Sequence, residues 1–284
     1  MTNLSDEQDL VVPDAPILSP ANFFDLPGFV ETKHTRRVTD LCSALQQTRA
    51  MGLLVSLPGV GKTWAVQYAA QQQHQPELIT ASPVLYTSVD TENTSRSLMI
   101  NILTCLGPDY RAPIADMTRL ACCWIHRRQV ELIILDDAER LDKISLEMIR
   151  DIHDRTRCAF LFVGEPDLSL KFRRHESILN RIGITMELPL LTFDEMAEFL
   201  LQLQTQRFQD KNYHHPQAEL FITPKLVPED LIILKEIYRL TFGNMRRMNM
   251  LIQEAERIAA LNGQHFVELP VVQATARLLN NRYK

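Results

Sequence analysis

Apolar residues along this chain recur with two alternating spacings. Val38, Leu41, Cys42 and Leu45 stand three and four apart and predict a helix over 34–47. The unbroken run Leu53, Leu54 and Val55 predicts a short buried strand, followed by a glycine-containing turn and a helix over 62–73. The alternation then repeats. A strand is predicted over 83–89, a helix over 98–106 stopped by Gly107 and Pro108, and a second helix over 114–126. A strand over 130–135, a helix over 146–153, a strand over 158–163 and a last strand over 184–188 complete the series. Continuous apolar strands separated by helices predict a parallel sheet covered on both faces.

After Pro189 the strand pattern ceases, and helices are predicted over 193–203, 228–240, 244–261 and 270–280. Thr192 with Glu195 three positions on fits a capped helix start. The segment 209–226 is polar, contains proline and reads as a loop. The first 28 residues hold four prolines and five acidic residues, which suit an extended arm. The predicted fold class is therefore α/β, with a three-layer domain over 29–190, a small all-helical domain over 191–284 and an N-terminal extension over 1–28.

Composition narrows the functional classes. With 284 residues, 45% hydrophobic and 23% charged, the chain is neither fibrous nor wholly disordered. No apolar stretch approaches the roughly 20 residues of a membrane span, and Asp6, Glu7 and Asp9 replace the basic start of a secretory signal. A soluble cytoplasmic protein with no membrane partner is expected. Five cysteines without a CxxC pair read as free thiols. Eight histidines show no metal-ligand spacing. The net charge of -5 gives no whole-surface attraction for nucleic acid, so DNA contact would need a local basic patch or an assembly that aligns one.

The strongest chemical signal is Ser56-Leu-Pro-Gly-Val-Gly-Lys-Thr63 between a strand and a helix. In a P-loop, successive backbone N–H groups and the helix N-terminus hold phosphates. Pro58, Gly59, Val60, Gly61 and Trp64 would form the cradle and its flank, Lys62 would reach the β- and γ-phosphates, and Thr63 would offer a hydroxyl to Mg²⁺. Ser56 stands where the usual pattern has its first glycine. About 70 residues later, Leu132-Ile-Ile-Leu-Asp-Asp137 ends a buried strand in two carboxylates, at the sheet edge where α/β proteins bind ligands. Asp136 would hold the Mg²⁺ shell and Asp137 would polarise a water. The implied cofactors are ATP and Mg²⁺.

These motifs, with the later runs FVGEPDL, NRIGITMELP and Gly243-Asn-Met-Arg-Arg247, stand in the order found in AAA+ ATPases. More narrowly, residues 29–280 resemble the transposition-regulator group of MuB, TniB and the TnsC proteins of CRISPR-associated transposons. The resemblance implies a P-loop AAA+ domain with a helical lid. It puts Glu165 at the sensor-1 position, Arg181 at the arginine finger that completes a neighbour's site, and Arg246 at sensor 2. It also implies double-stranded DNA held non-specifically along its backbone inside a homo-oligomer, either a helical filament or a hexameric ring, with Arg96 and Arg111 as the DNA-contacting candidates. Transposase and targeting proteins are the implied partners. Aspartate at 137, where the group usually has glutamate, is one methylene shorter, so slow hydrolysis used as an assembly switch is expected. A replication initiator or helicase loader shares every nucleotide motif. Origin-recognition initiators usually continue into a winged-helix domain, whereas the helices here run to Lys284, which favours the transposition reading. A nucleotide-bound scaffold is the non-enzymatic alternative.

Overall fold

The computed structural model describes residues 31–72, 83–91, 94–107, 113–209, 219, 220, 222 and 227–281. The predicted N-terminal extension, Arg111 and most of the 209–226 segment lie outside the described residues. Helix α1 (Lys33–Thr48) starts where Thr32 and Thr35 cap each other reciprocally, and it stops at Arg49 in a left-handed conformation. Next come β1 (Met51–Val55), α2 (Lys62–Gln72), β2 (Val84–Ser88), α3 (Ser95–Leu106) and α4 (Ile114–Arg127). Strand β3 (Leu132–Asp136) leads through a 3-10 turn (Ala138–Arg140) to α5 (Lys143–Thr156), β4 (Ala159–Gly164), α6 (Asp167–Arg173), α7 (Glu176–Leu179) and β5 (Ile182–Glu187). Four longer helices follow: α8 (Phe193–Gln209), α9 (Pro228–Thr241), α10 (Met245–Leu261) and α11 (Leu269–Asn281).

The sheet order is β2-β3-β4-β1-β5, and every pair is parallel. All strand C-termini therefore share one edge, which brings together the segments after β1, β3 and β4. Because strand side chains alternate between faces, Met51, Leu53, Ile133, Leu135, Phe160 and Phe162 pack with α3 to α7. Leu54, Leu132, Ile134, Leu161 and Val163 pack with α1 and α2 on the other face. Both faces are covered, as the unbroken apolar runs predict. The edge strand β5 alternates half-buried and exposed residues, because Ile184 and Met186 pack on the face covered by α1 and α2 while Thr185 and Glu187 point to the other side.

Helices α8 to α11 enclose a separate core that includes Met196, Leu200, Leu234, Ile237, Met248 and Leu251. The predicted cap at its start is present: Thr192 N donates to Glu195 Oε2 at 3.0 Å, and Glu195 N donates to Thr192 Oγ1 at 3.3 Å. Three further features depart from the sequence expectation. Helix α5 starts at Lys143 because Asp142 caps it, accepting from Ser145 N at 2.7 Å. Helices α6 and α7, of 7 and 4 residues, are too short to display a period. Within the segment expected as a polar loop, Leu220 and Ile222 are buried in the helical core.

Candidate functional site

The loop between β1 and α2 is shaped by two glycines with left-handed backbone, Gly59 at φ 82° and Gly61 at φ 103°. A side chain on either would also strike the helical part: a Cβ on Gly59 would lie 2.6 Å from Asn244 Oδ1, and one on Gly61 would lie 2.9 Å from Met245 Sδ. Ser56 is not among the residues with positive φ, so a serine is accommodated there without strain. Its hydroxyl donates to Leu57 O at 3.1 Å. Lys62 curls back over the loop, and its Nζ donates to Ser56 O at 2.8 Å and Leu57 O at 3.3 Å. Burial pushes the Lys62 pKa below the usual ammonium value, while Glu165, Asp136, Glu139 and Asp137 pull it back up.

Asp136 ends β3 and is only 3% exposed. It accepts from Tyr86 Oη at 3.1 Å, from Asp137 N at 3.0 Å, and from the Thr63 side chain. Burial raises its carboxyl pKa, and the Thr63 and Asp137 hydrogen bonds partly offset that rise. Burial likewise raises the Tyr86 phenol, with the Asp136 charge adding to the effect. Asp137 sits in a left-handed conformation, with Oδ2 3.2 Å from Arg140 Nη1. That same Arg140 nitrogen donates to Val89 O at 3.0 Å. Glu165 is exposed, one residue past β4.

The helical part closes over this loop. Asn244 Nδ2 donates to Pro58 O at 2.8 Å, and Arg246 N donates to Gly59 O at 3.0 Å. Asn244 Oδ1 meanwhile accepts from Arg247 N and caps α10. Between the two parts lies a cleft of about 810 Å³. Pro58, Gly59, Val60, Gly61, Lys62, Thr63, Trp64, Asp137, Glu165 and Arg246 line it, while Ser56 and Asp136 lie behind that lining, bonded to Lys62 and Thr63. The structure thus gathers twelve of the fifteen residues singled out in the sequence around one opening. Arg181 is not in the cleft of its own chain. Its Nε and Nη2 grip the two Asp154 oxygens at 2.8 and 2.7 Å. Arg96 belongs to α3, outside the lining.

Three contributors escaped the sequence reading. His34, 3% exposed, lines the cleft from α1, and neither ring nitrogen has a hydrogen-bond partner among the described residues. Burial lowers its pKa, with Glu195 opposing and Arg37 adding to that shift. Glu139 lines the cleft from the 3-10 turn, and the sequence offers no spacing that singles it out. Asn244 was visible only as part of the Gly-Asn-Met-Arg-Arg run.

The AAA domain family matches residues 45–172. The chain also aligns with a solved structure, the ORC1 protein of Aeropyrum pernix in complex with DNA, at TM-score 0.64 and 14% identity over 88% of this chain. The fold is that of P-loop AAA+ proteins. This chain spans 66% of that ORC1 chain. A potential ATP-binding protein of Staphylococcus aureus is 25% identical over 280 residues, covering 88% of this chain and 95% of its own length. The Mu-like prophage FluMu DNA transposition protein B of Haemophilus influenzae is 25% identical over 155 residues, which is 53% of this chain and half of that protein.

Proposed function

We propose that this chain is an AAA+ ATPase that assembles on double-stranded DNA in response to ATP and regulates transposition by recruiting or activating a transposase. The observation that carries the nucleotide reading is the docking of Asn244 and Arg246 onto the loop that holds Lys62, beside the buried Asp136–Thr63 pair. The cradle suits phosphate, since the left-handed backbone at Gly59 and Gly61 is the turn conformation in which successive N–H groups form an anion-binding concavity. A carboxylate next to a hydroxyl is the hard-oxygen donor set that Mg²⁺ prefers. Thr63 and Asp136 would hold the ion, which supplies charge neutralisation for the phosphoryl oxygens when bound.

In this reading the lid transmits occupancy. A nucleotide in the cradle changes what Pro58 and Gly59 can offer to α10, so nucleotide binding and lid position are linked. Arg181 acts on a neighbouring copy, because its guanidinium, presented at the surface by Asp154, lies outside its own cleft. Sensor-type roles for Glu165 and Arg246 fit their places on the lining. Arg96 and Arg111 remain the DNA-contacting candidates, through phosphates and without sequence preference. The transposition assignment draws its support from the Haemophilus relative.

Electron microscopy of the full chain with duplex DNA and a slowly hydrolysed ATP analogue tests this directly. Continuous helical filaments are expected with the analogue, none without it, and none for Lys62→Ala. Discrete closed rings on DNA would move the assignment to a replication initiator or helicase loader. An analogue-independent coat on DNA would remove the nucleotide switch.

A further inference from the structure

We infer that Glu139, rather than Asp137, is the carboxylate that accepts a proton from the attacking water during ATP hydrolysis. This assignment rests on the nucleotide reading of the cleft and names a catalytic residue within it.

Asp137 is in the place expected for that base, directly after Asp136, but its side chain is engaged elsewhere. One oxygen lies 3.2 Å from Arg140 Nη1, and that nitrogen is itself anchored to Val89 O. The aspartate is also one methylene short of the usual reach. A base held back by a fixed guanidinium and a shorter stem is poorly placed for a water above the cradle, and small misplacements are costly to rate.

Glu139 has the complementary features. Its backbone is pinned from outside the turn, because Lys171 Nζ donates to Glu139 O at 2.7 Å. Inside the turn, Arg140 N donates to Asp137 O and Leu141 N to Ala138 O, each at 3.1 Å. The side chain that projects from this fixed turn lines the same cleft as Lys62 and Glu165, and its charge acts on Lys62. Oε2 is buried with no hydrogen-bond partner among the described residues. A buried carboxylate oxygen without a partner is unfavourable, and a water that enters with the nucleotide would supply one.

Gly164 makes room for this arrangement. A Cβ there would overlap Glu139 Oε2, so the carboxylate rests over the last residue of β4, between the ends of β3 and β4. Glutamate supplies the reach that Asp137 lacks. The water oxygen bonds to the γ-phosphorus, the bond from that phosphorus to its bridging oxygen breaks, and ADP departs with the electron pair. The water proton passes to Glu139 and then to solvent.

The test compares Glu139→Gln and Asp137→Asn with wild type, using the full chain, duplex DNA and ATP. It measures phosphate release, affinity for a slowly hydrolysed ATP analogue, and the chemical identity of nucleotide retained after gel filtration. Glu139→Gln is expected to lower kcat by about a hundredfold or more, to leave analogue affinity within about twofold, and to retain ATP where wild type retains ADP. Asp137→Asn is expected to lose less than about tenfold in kcat. The reverse order, or wild-type turnover in Glu139→Gln, overturns the assignment while leaving the nucleotide reading intact. Lost analogue affinity in Glu139→Gln would also overturn it, by showing a structural role. A wild-type chain that binds ATP but releases no phosphate overturns it as well. Failure of wild type to bind ATP at all overturns the nucleotide reading itself.

Discussion

Replacing Asn244 by aspartate separates two tasks that one amide performs. The side-chain oxygen caps α10 by accepting from Arg247 N at 3.1 Å, and the side-chain nitrogen fastens the lid by donating to Pro58 O at 2.8 Å. Asn244→Ala loses both. The cap contributes about 1 kcal/mol and the buried hydrogen bond about another 1 kcal/mol, so a loss of about 2 kcal/mol is expected. For a chain of 284 residues that corresponds to a fall in Tm of about 3–4 °C. Asn244→Asp retains the cap, since aspartate serves there as well as asparagine, but it has no donor for Pro58 O and sets a negative charge against that carbonyl. Its Tm should fall by at least half as much. If lid docking is coupled to nucleotide binding, losing about 1 kcal/mol of docking weakens affinity about fivefold. Thermal unfolding followed by circular dichroism, and calorimetric titration with a slowly hydrolysed ATP analogue, read the two effects separately. Unchanged nucleotide affinity in Asn244→Asp would refute the coupling, because the Arg246 N to Gly59 O bond would then suffice alone.

Two further outcomes follow from the lid and its entry. Gly243 has φ 74°, and a Cβ there would overlap Leu191 O, next to the bond that Leu191 N makes to Gly243 O at 3.1 Å. Gly243→Ala should therefore cost more than about 3 kcal/mol and leave α8 to α11 open to protease; a resistant lid would contradict this. Glu195 accepts from Thr192 N and lies 3.5 Å from Lys33 Nζ, and the Thr192 hydrogen bond holds its pKa below the usual glutamate value. A depressed folded pKa gives stability that is present above the unfolded value and lost as pH falls through the folded one. Glu195→Gln should accordingly flatten the fall in Tm between about pH 6 and about pH 3; an unchanged acid limb would show that this capping box carries none of it.

Much of the fold was legible because its causes are local. Strands β1, β3 and β4 appear in the sequence as apolar runs, and the cap at Thr192 as a two-residue signature. The helix starts that were misjudged depended on single capping contacts such as Asp142 with Ser145. The cleft was legible in part for the same reason: Gly59, Gly61 and Lys62 follow one another along the chain, and Asp136 closes a strand. His34 and Glu139 were not legible, because a lone histidine on a helix and one more acid in a charged turn carry no spacing that distinguishes them. Their roles depend on what they are buried against.

The sequence by itself determined which segments are strands, which are the longer helices, and where the chain could wrap a phosphate. These properties follow from side-chain periodicity and from backbone angles that few residues but glycine adopt readily. The tertiary structure alone decided the rest. It set β4 between β1 and β3, so that the loop, the Asp136 carboxylate and Glu165 meet at one edge. It joined Asn244 to Pro58 across 186 positions of chain. It drew Asp137 to Arg140, seated Glu139 over Gly164 and held Arg181 against Asp154. Each of these depends on packing between elements distant in sequence, and packing is governed by shape and burial in three dimensions, for which one-dimensional spacing has no counterpart.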